Sequence, residues 1–170
     1  MTALTVTARG PDAEAFAPFG AFLEPPAEVG GRAMFAEWLE PVEGRTAQYH
    51  LNLVEPGALP VVVDRVEQHP HAAQLFIPVG VSRYLITVMP SDESGEPDPT
   101  RALAFVLPGT MGIAYHPGTW HTGISALDGG GSFAVLMWRG GDDDGDDIFA
   151  SIPPLEVRAT DPADEEGARG

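Results

Sequence analysis

Four of the five histidines in this chain fall in two short segments, separated by about forty residues. The segments are 67–74 (EQHPHAAQ) and 115–121 (YHPGTWH). Histidine is the commonest metal ligand in proteins and the usual general base near neutral pH. Both segments are embedded in β-rich sequence, so two strands of one sheet could bring them together. They are the strongest indication of a functional site.

Alternation along the first segment places chemically useful side chains on one face. If residues 59–69 form a strand, then Arg65, Glu67 and His69 point the same way. A carboxylate and an imidazole two residues apart can be paired metal ligands, or a base and the group that orients it. In the second segment, His121 follows a Pro-Gly turn.

Composition excludes several kinds of chemistry. The 170-residue chain has neither lysine nor cysteine, so it cannot use a lysine Schiff base, a thiol nucleophile or a thiolate-bound metal. Its formal net charge of −16 repels nucleic acid and anionic membranes, and neither is expected as a partner. No signal peptide or membrane-length apolar run is visible. We therefore expect a cytoplasmic protein with a small-molecule substrate.

The order of patterns along the chain favours an all-β fold. Glycine and proline number 20 and 17, as is usual for many short strands joined by turns. A short helix is predicted over 11–17. We expect one domain over 1–160, a solvated acidic loop over 142–147 (DDDGDD) and a disordered acidic tail over 161–170. The predicted strands are 4–8, 22–23, 48–54, 59–68, 74–79, 83–89, 103–107, 112–116, 120–126 and 133–139.

The spacing of the two histidine segments resembles the two motifs of the cupin family. In the first motif, Glu stands at the usual first His position and Gln at the usual Glu position. In the second motif, the proline–glycine spacing is shortened and Ser replaces Asn. The matching residues are Glu67, His69, Gln74 and Gly80 for the first motif, and Gly112, Pro117-Gly118, His121 and Ser125 for the second.

A closer resemblance, covering most of the chain, is to the ureidoglycolate lyase family. It is carried by 14–20 (EAFAPFG), 67–90 (EQHPHAAQLFIPVGVSRYLITVMP), 112–121 (GIAYHPGTWH) and 133–141 (FAVLMWRGG). The resemblance implies a cupin-like antiparallel β-barrel of the jelly-roll type, with one or two short peripheral helices. It also implies a homodimer that cleaves ureidoglycolate to glyoxylate and urea in allantoin (purine) catabolism.

The chain departs from the family pattern at a few positions. Thr122 stands where members commonly carry a second histidine, Asn52-Leu53 replaces Asn-Arg, and Trp138-Arg139 replaces Asp-Arg. Two alternatives therefore stay open. One is a cupin-fold enzyme acting on another small hydroxy acid, and the other is a non-catalytic cupin that binds a small molecule.

Cleavage of such a substrate needs a base, an acid, and a cation or metal that stabilises the carboxylate and the developing carbonyl. Arg139 could hold the carboxylate through two parallel hydrogen bonds, or pair with the adjacent acidic loop. A bound metal would be Ni, Zn or Mn, and a metal-free site is the alternative. The candidate catalytic residues are His69, His121, His116 and Glu67. The candidate substrate-binding residues are Gln74, Arg139, Tyr115 and Trp120. The candidate metal ligands are His69, Glu67, Gln74 and His121.

Overall fold

The computed structural model describes residues 4–141 and 145–160, and these form thirteen strands, one α-helix and two short 3₁₀ turns. The predicted tail at 161–170 lies outside the described residues. The helix α1 is Ala13–Phe16, and the 3₁₀ turns are Ala36–Leu39 and Pro99–Arg101. The strands are β1 Leu4–Thr7, β2 Gly20–Leu23, β3 Thr46–Val54, β4 Pro56–Gly57, β5 Val61–Gln68, β6 Gln74–Val79, β7 Arg83–Met89, β8 Leu103–Pro108, β9 Gly112–Tyr115, β10 Trp120–His121, β11 Ser125–Leu127, β12 Gly131–Arg139 and β13 Ile148–Arg158.

The strands form two sheets. One has eight strands in the order β1-β13-β5-β10-β7-β11-β4, with β8 also pairing β7, and the other has five in the order β2-β9-β6-β12-β3. Most neighbours are antiparallel, whereas β1–β13 and β11–β4 are parallel. The all-β, cupin-like fold class is confirmed.

Aromatic side chains fill the space between the two sheets. Phe133 of β12 is fully buried and meets Phe76 of β6 and Tyr84 of β7 edge to face, at centroid distances of 6.3 and 5.0 Å. Phe16 reaches the same core from α1, whose first turn is capped by a 3.0 Å hydrogen bond from the Ala15 amide to the Asp12 carboxylate. This core joins β7 of the larger sheet to β6, β9 and β12 of the smaller one.

The sequence patterns located most strands but missed two, the two-residue strand β4 and the long strand β13. The predicted bounds of β6 and β7 match the structure, whereas the predicted strand 120–126 is divided into β10 and β11. The eleven-residue strand β13 was not predicted, and it pairs with both β5 and β1. It contains Pro153 and Pro154, and its pairing with β5 shifts register between Ser151 and Leu155.

Candidate active site

The two histidine segments meet at the end of β5. Strand β10 lies antiparallel to β5, with His121 directly opposite Glu67, so both side chains point into the space between the sheets. His69 follows one residue after β5 ends, and its ring centroid lies 5.2 Å from that of His121. One ligand atom from each of the three residues lies within 4.8 Å of the other two. The structure therefore brings together three residues predicted to be functional.

The proton on His121 is fixed by a backbone contact. His121 is 1% exposed, and its Nδ1 lies 2.8 Å from the Thr119 carbonyl oxygen. A carbonyl only accepts, so Nδ1 carries the hydrogen and donates it. Nε2 is buried without a hydrogen-bond partner, 3.6 Å from a Glu67 carboxylate oxygen. Two acceptors face each other there, which favours a proton or a metal cation between them.

His69 has a comparable arrangement with different acceptors. Its Nδ1 lies 3.0 Å from the Asp146 carbonyl oxygen and 2.9 Å from the Asp147 carboxylate, while its buried Nε2 has no hydrogen-bond partner. Burial, with a further contribution from His121, lowers the pKa of His69. The imidazole is therefore held neutral, with its free lone pair on Nε2.

Electrostatics keep Glu67 ionised. A proton on His121 Nε2 can be donated to the Glu67 carboxylate; this hydrogen bond lowers the pKa of Glu67 and outweighs partial burial, which acts in the opposite direction. Tyr115 closes the cluster, since its ring stacks on His121 with centroids 4.3 Å apart and planes 21° apart. Burial raises the pKa of Tyr115, so its hydroxyl stays protonated.

Gln74 of β6 lies on the inner face of the five-stranded sheet, in the same row of side chains as Tyr115. It is directly opposite Tyr115 on β9 and Met137 on β12. Its Nε2 lies 3.6 Å from the Met137 sulfur, and its Oε1 is buried without a partner. The Tyr115 hydroxyl is also buried and unpartnered. Each of these polar atoms could contact a ligand in the interior.

Arg139 pairs with the acidic segment, which was one of its two predicted roles. Its guanidinium donates two hydrogen bonds to the Asp147 carboxylate, one of them 2.9 Å long, and this pairing lowers the pKa of Asp147. Asp147 also contacts His69, so it links the arginine to the imidazole.

The prediction of a solvated acidic loop is wrong for Asp146. This residue is 7% exposed, and its carboxylate accepts hydrogen bonds from Arg45 Nε at 2.9 Å and from the Gly140 amide at 2.7 Å. The two hydrogen bonds to its carboxylate hold Asp146 in place. Its backbone carbonyl can then accept a hydrogen bond from His69 Nδ1. Residues 142–144 lie outside the described residues.

Two other candidates lie away from the cluster. His116 is exposed on the outer side, where its ring lies 4.9 Å from that of Trp38 and its Nε2 donates to the Ala17 carbonyl at 3.3 Å. Trp120 is buried on the opposite face of β10 from His121, in a core cluster with Val66. Their roles in catalysis and substrate binding stay predictions.

Three residues that position the imidazoles were not predicted to belong to the site: Asp146, Asp147 and Thr119. Thr119 acts through its backbone carbonyl, which leaves no residue-type signal. The two aspartates stand immediately before β13, and recognising that strand would have placed them beside the end of β5.

The donor set fits a divalent metal ion. Two buried imidazole nitrogens and one buried amide oxygen lie with one half-buried carboxylate, and nitrogen and oxygen ligands suit Zn, Ni or Mn. Each imidazole donates a hydrogen bond from its other nitrogen, Nδ1, to a carbonyl or carboxylate, as metal-bound histidines usually do. The residues that could hold the ion are Glu67, His69 and His121, and Gln74 stays a predicted fourth ligand.

Comparison with known proteins agrees with the resemblance in the sequence. The sequence model described as ureidoglycolate lyase matches residues 3–157. The chain belongs to the ureidoglycolate lyase family. A ureidoglycolate lyase from Burkholderia cepacia is 36% identical over 147 residues, which cover 75% of this chain and 76% of that protein. One from Salmonella paratyphi B (strain ATCC BAA-1250 / SPB7) is 33% identical over 107 residues, covering 63% and 64%.

Among solved structures, a dTDP sugar isomerase from Desulfovibrio desulfuricans G20 superimposes with a TM-score of 0.45 at 18% identity, covering 78% of this chain and 82% of that chain. In the described part of this ureidoglycolate lyase family member, no helix is long and apolar enough to cross a membrane.

Proposed function

We propose that the protein is a lyase that cleaves ureidoglycolate to glyoxylate and urea. Its family membership supports the reaction type. The observation that carries the proposal in this chain is the convergence of two buried, unpartnered imidazole nitrogens, from His69 and His121, beside the ionised Glu67. A cytoplasmic location and a place in allantoin breakdown are part of the same proposal.

The reaction breaks a carbon–nitrogen bond in a carbinolamide. A base removes the hydroxyl proton, the carbonyl of glyoxylate forms, and the bonding electron pair leaves with the urea nitrogen, which takes up a proton. One proton is removed and one is delivered, so no other reactant is needed. In a site without a metal, the Nε2 lone pair of His69 or His121 is suited to accept the first proton, and the imidazole protonated in this way can supply the second.

A divalent metal at Glu67, His69, His121 and Gln74 would stabilise the developing carbonyl oxygen as a Lewis acid. The chain's own groups orient this centre, because Thr119, Asp146 and Asp147 fix the Nδ1 hydrogens and direct both Nε2 lone pairs inward. Tyr115 and Gln74 add an unpartnered hydroxyl and an unpartnered amide oxygen. These groups can bind the ureido nitrogens and the substrate hydroxyl.

Substrate carboxylate binding at Arg139 has a geometric constraint. The guanidinium already donates two hydrogen bonds to Asp147, so a substrate carboxylate must share it through the remaining donors. Arg139 is 27% exposed and can be approached from solvent. The Arg139 guanidinium therefore lies at the edge of the cluster, and Asp147 keeps its positive charge paired.

The test is release of glyoxylate and urea from ureidoglycolate by the purified protein, with metal content measured by elemental analysis on the same sample. His69→Ala and His121→Ala should each lower turnover roughly a hundredfold. His50→Ala is the matched control, because His50 is exposed on β3. Wild-type turnover in both variants would remove these histidines as catalysts. Tight binding without turnover would instead favour a non-catalytic binding protein.

We also propose that the chain forms a homodimer through β3 and the adjoining outer end of β6. Tyr49, Leu51 and Leu53 are 67%, 64% and 77% exposed, and Val79 of β6 is 50% exposed. β3 is an edge strand of nine residues without a charged side chain, in a chain of net charge −16. Two such edges can pair around a twofold axis, and an uncharged face is where two acidic copies repel least.

A further inference from the structure

A cavity separate from the candidate active site lies on the outer face of the five-stranded sheet. Its volume is about 410 Å³, and it opens where the segment after the first 3₁₀ turn crosses the ends of β9 and β12. Trp138 lines it from β12, and since Met137 points into the interior, alternation directs Trp138 outward. The side chains that define its chemistry are Glu37, Trp38, Glu40, His71, His116 and Trp138.

The walls of this outer cavity are held in place. Trp38 packs against the buried cluster around Leu75, and its ring lies 4.9 Å from that of His116. Trp138 donates from Nε1 to the Leu39 carbonyl at 3.2 Å, which fastens the crossing segment to the sheet. Farther along, Arg45 pairs with the buried Asp146. The cavity is therefore preformed, as small-molecule sites usually are.

The charges around the cavity have one sign. Glu37 and Glu40 contribute two exposed carboxylates, and the described lining contains no arginine. The whole chain has no lysine and a net charge of −16, so the surrounding field attracts cations. Among the described residues, the ligand atoms that converge closely enough for a metal ion are those of Glu67, His69 and His121. An organic cation fits the outer cavity better than a chelated metal.

We propose that the outer cavity is a second binding site, distinct from the lyase centre, for a small planar organic cation of the guanidinium or amidinium class. Such a cation lies flat against the Trp38 or Trp138 indole through a cation–π contact. Its paired N–H groups donate to the Glu37 and Glu40 carboxylates in the parallel geometry that carboxylates accept. Binding of this cation requires both the indole walls and the two carboxylates.

The outer cavity and the lyase centre share two loops. His71 comes two residues after His69, and the His116 carbonyl accepts from the Thr119 amide at 3.2 Å. The Thr119 carbonyl in turn holds His121, and the Gly118 amide donates to the His69 carbonyl at 2.8 Å. A ligand in the outer cavity thus contacts the backs of the loops that position both buried imidazoles.

The experiment is an NMR titration of the ¹⁵N-labelled full chain with benzamidinium chloride, and in parallel with benzamide, a neutral molecule of nearly the same shape. We expect saturable amide shifts concentrated at residues 37–40, 42, 71–73, 116 and 138. Benzamide should bind at least roughly tenfold more weakly than benzamidinium, because it lacks the positive charge. Equal affinity for the two probes would overturn the proposal.

Substitutions then separate the cavity from the general acidic field. The double variant Glu37→Gln/Glu40→Gln should weaken benzamidinium binding roughly tenfold while keeping the dispersed spectrum of a folded chain. The matched control is Glu93→Gln/Glu96→Gln, which removes the same charge from the exposed loop between β7 and β8. Equal weakening by the two double variants, or shifts spread evenly over the acidic surface, would contradict a defined site.

Discussion

His69 and Asp147 are joined by a 2.9 Å contact between the imidazole Nδ1 and a carboxylate oxygen, and Arg139 holds the same carboxylate. The three residues come from the end of β5, the segment before β13 and the end of β12. Because a carboxylate fixes the hydrogen on Nδ1, the His69 lone pair is directed toward His121 and Glu67. Asp147 is therefore a positioning residue for the proposed site.

Asp147→Ala should lower turnover of ureidoglycolate about tenfold, since loss of a partner behind a catalytic or metal-binding histidine typically costs ten- to a hundredfold. The readouts are the rate of glyoxylate release and the ¹⁵N shifts of the His69 ring, which report its tautomer. The control is Asp128→Ala, because Asp128 forms a comparable exposed pair with Arg83. Equal turnover in the two variants, with an unchanged His69 tautomer, would show that Asp147 does not position the imidazole.

The lowered pKa of His69 predicts a specific pH dependence of stability. In the unfolded chain His69 has the ordinary histidine pKa of about 6.5, whereas the folded chain binds the proton only at lower pH. As the pH falls below about 6.5, the unfolded state takes up more protons and the free energy of unfolding decreases. His69→Gln should therefore lose less stability than the wild type between pH 7.5 and 5.5. Urea unfolding with a chelator present measures this, and parallel curves would rule out a lowered pKa.

The sequence predicted those parts of the site that depend on local pattern. Alternation in β5 and the turn before β10 placed Glu67, His69 and His121 together, and β6 and β7 were found with correct bounds. β13 was missed because Pro153 and Pro154 interrupt its strand pattern, and the register shift that accommodates them depends on pairing with β5. The roles of Asp146 and Asp147 depend on that long-range pairing, so residue type alone indicated only a charged loop.

The interior aromatic contacts predict where stability is concentrated. Phe133 is fully buried between Phe76 and Tyr84, so Phe133→Ala should lower the free energy of unfolding by about 3–5 kcal/mol. Phe149→Ala is the control, because Phe149 is 51% exposed and should cost about 1 kcal/mol or less. Denaturant unfolding of the three proteins measures the difference. Similar losses in both variants would mean that the sheets do not pack around Phe133 as described.

The uncharged face of β3 predicts the oligomeric state. Wild-type protein should sediment as a dimer at micromolar concentration, and Leu51→Glu should shift it to monomer. The substitution puts a carboxylate on each copy near the proposed twofold axis, where like charges in an apolar contact are costly to desolvate.

Val62→Glu on β5 is the matched control, since Val62 is 61% exposed and lies on the other sheet. Analytical ultracentrifugation distinguishes the outcomes: a monomeric wild type, or dissociation by both substitutions alike, would remove β3 as the interface. Because the buried imidazoles lie within one chain, a folded Leu51→Glu monomer should still cleave ureidoglycolate, and the same samples can be assayed for glyoxylate release.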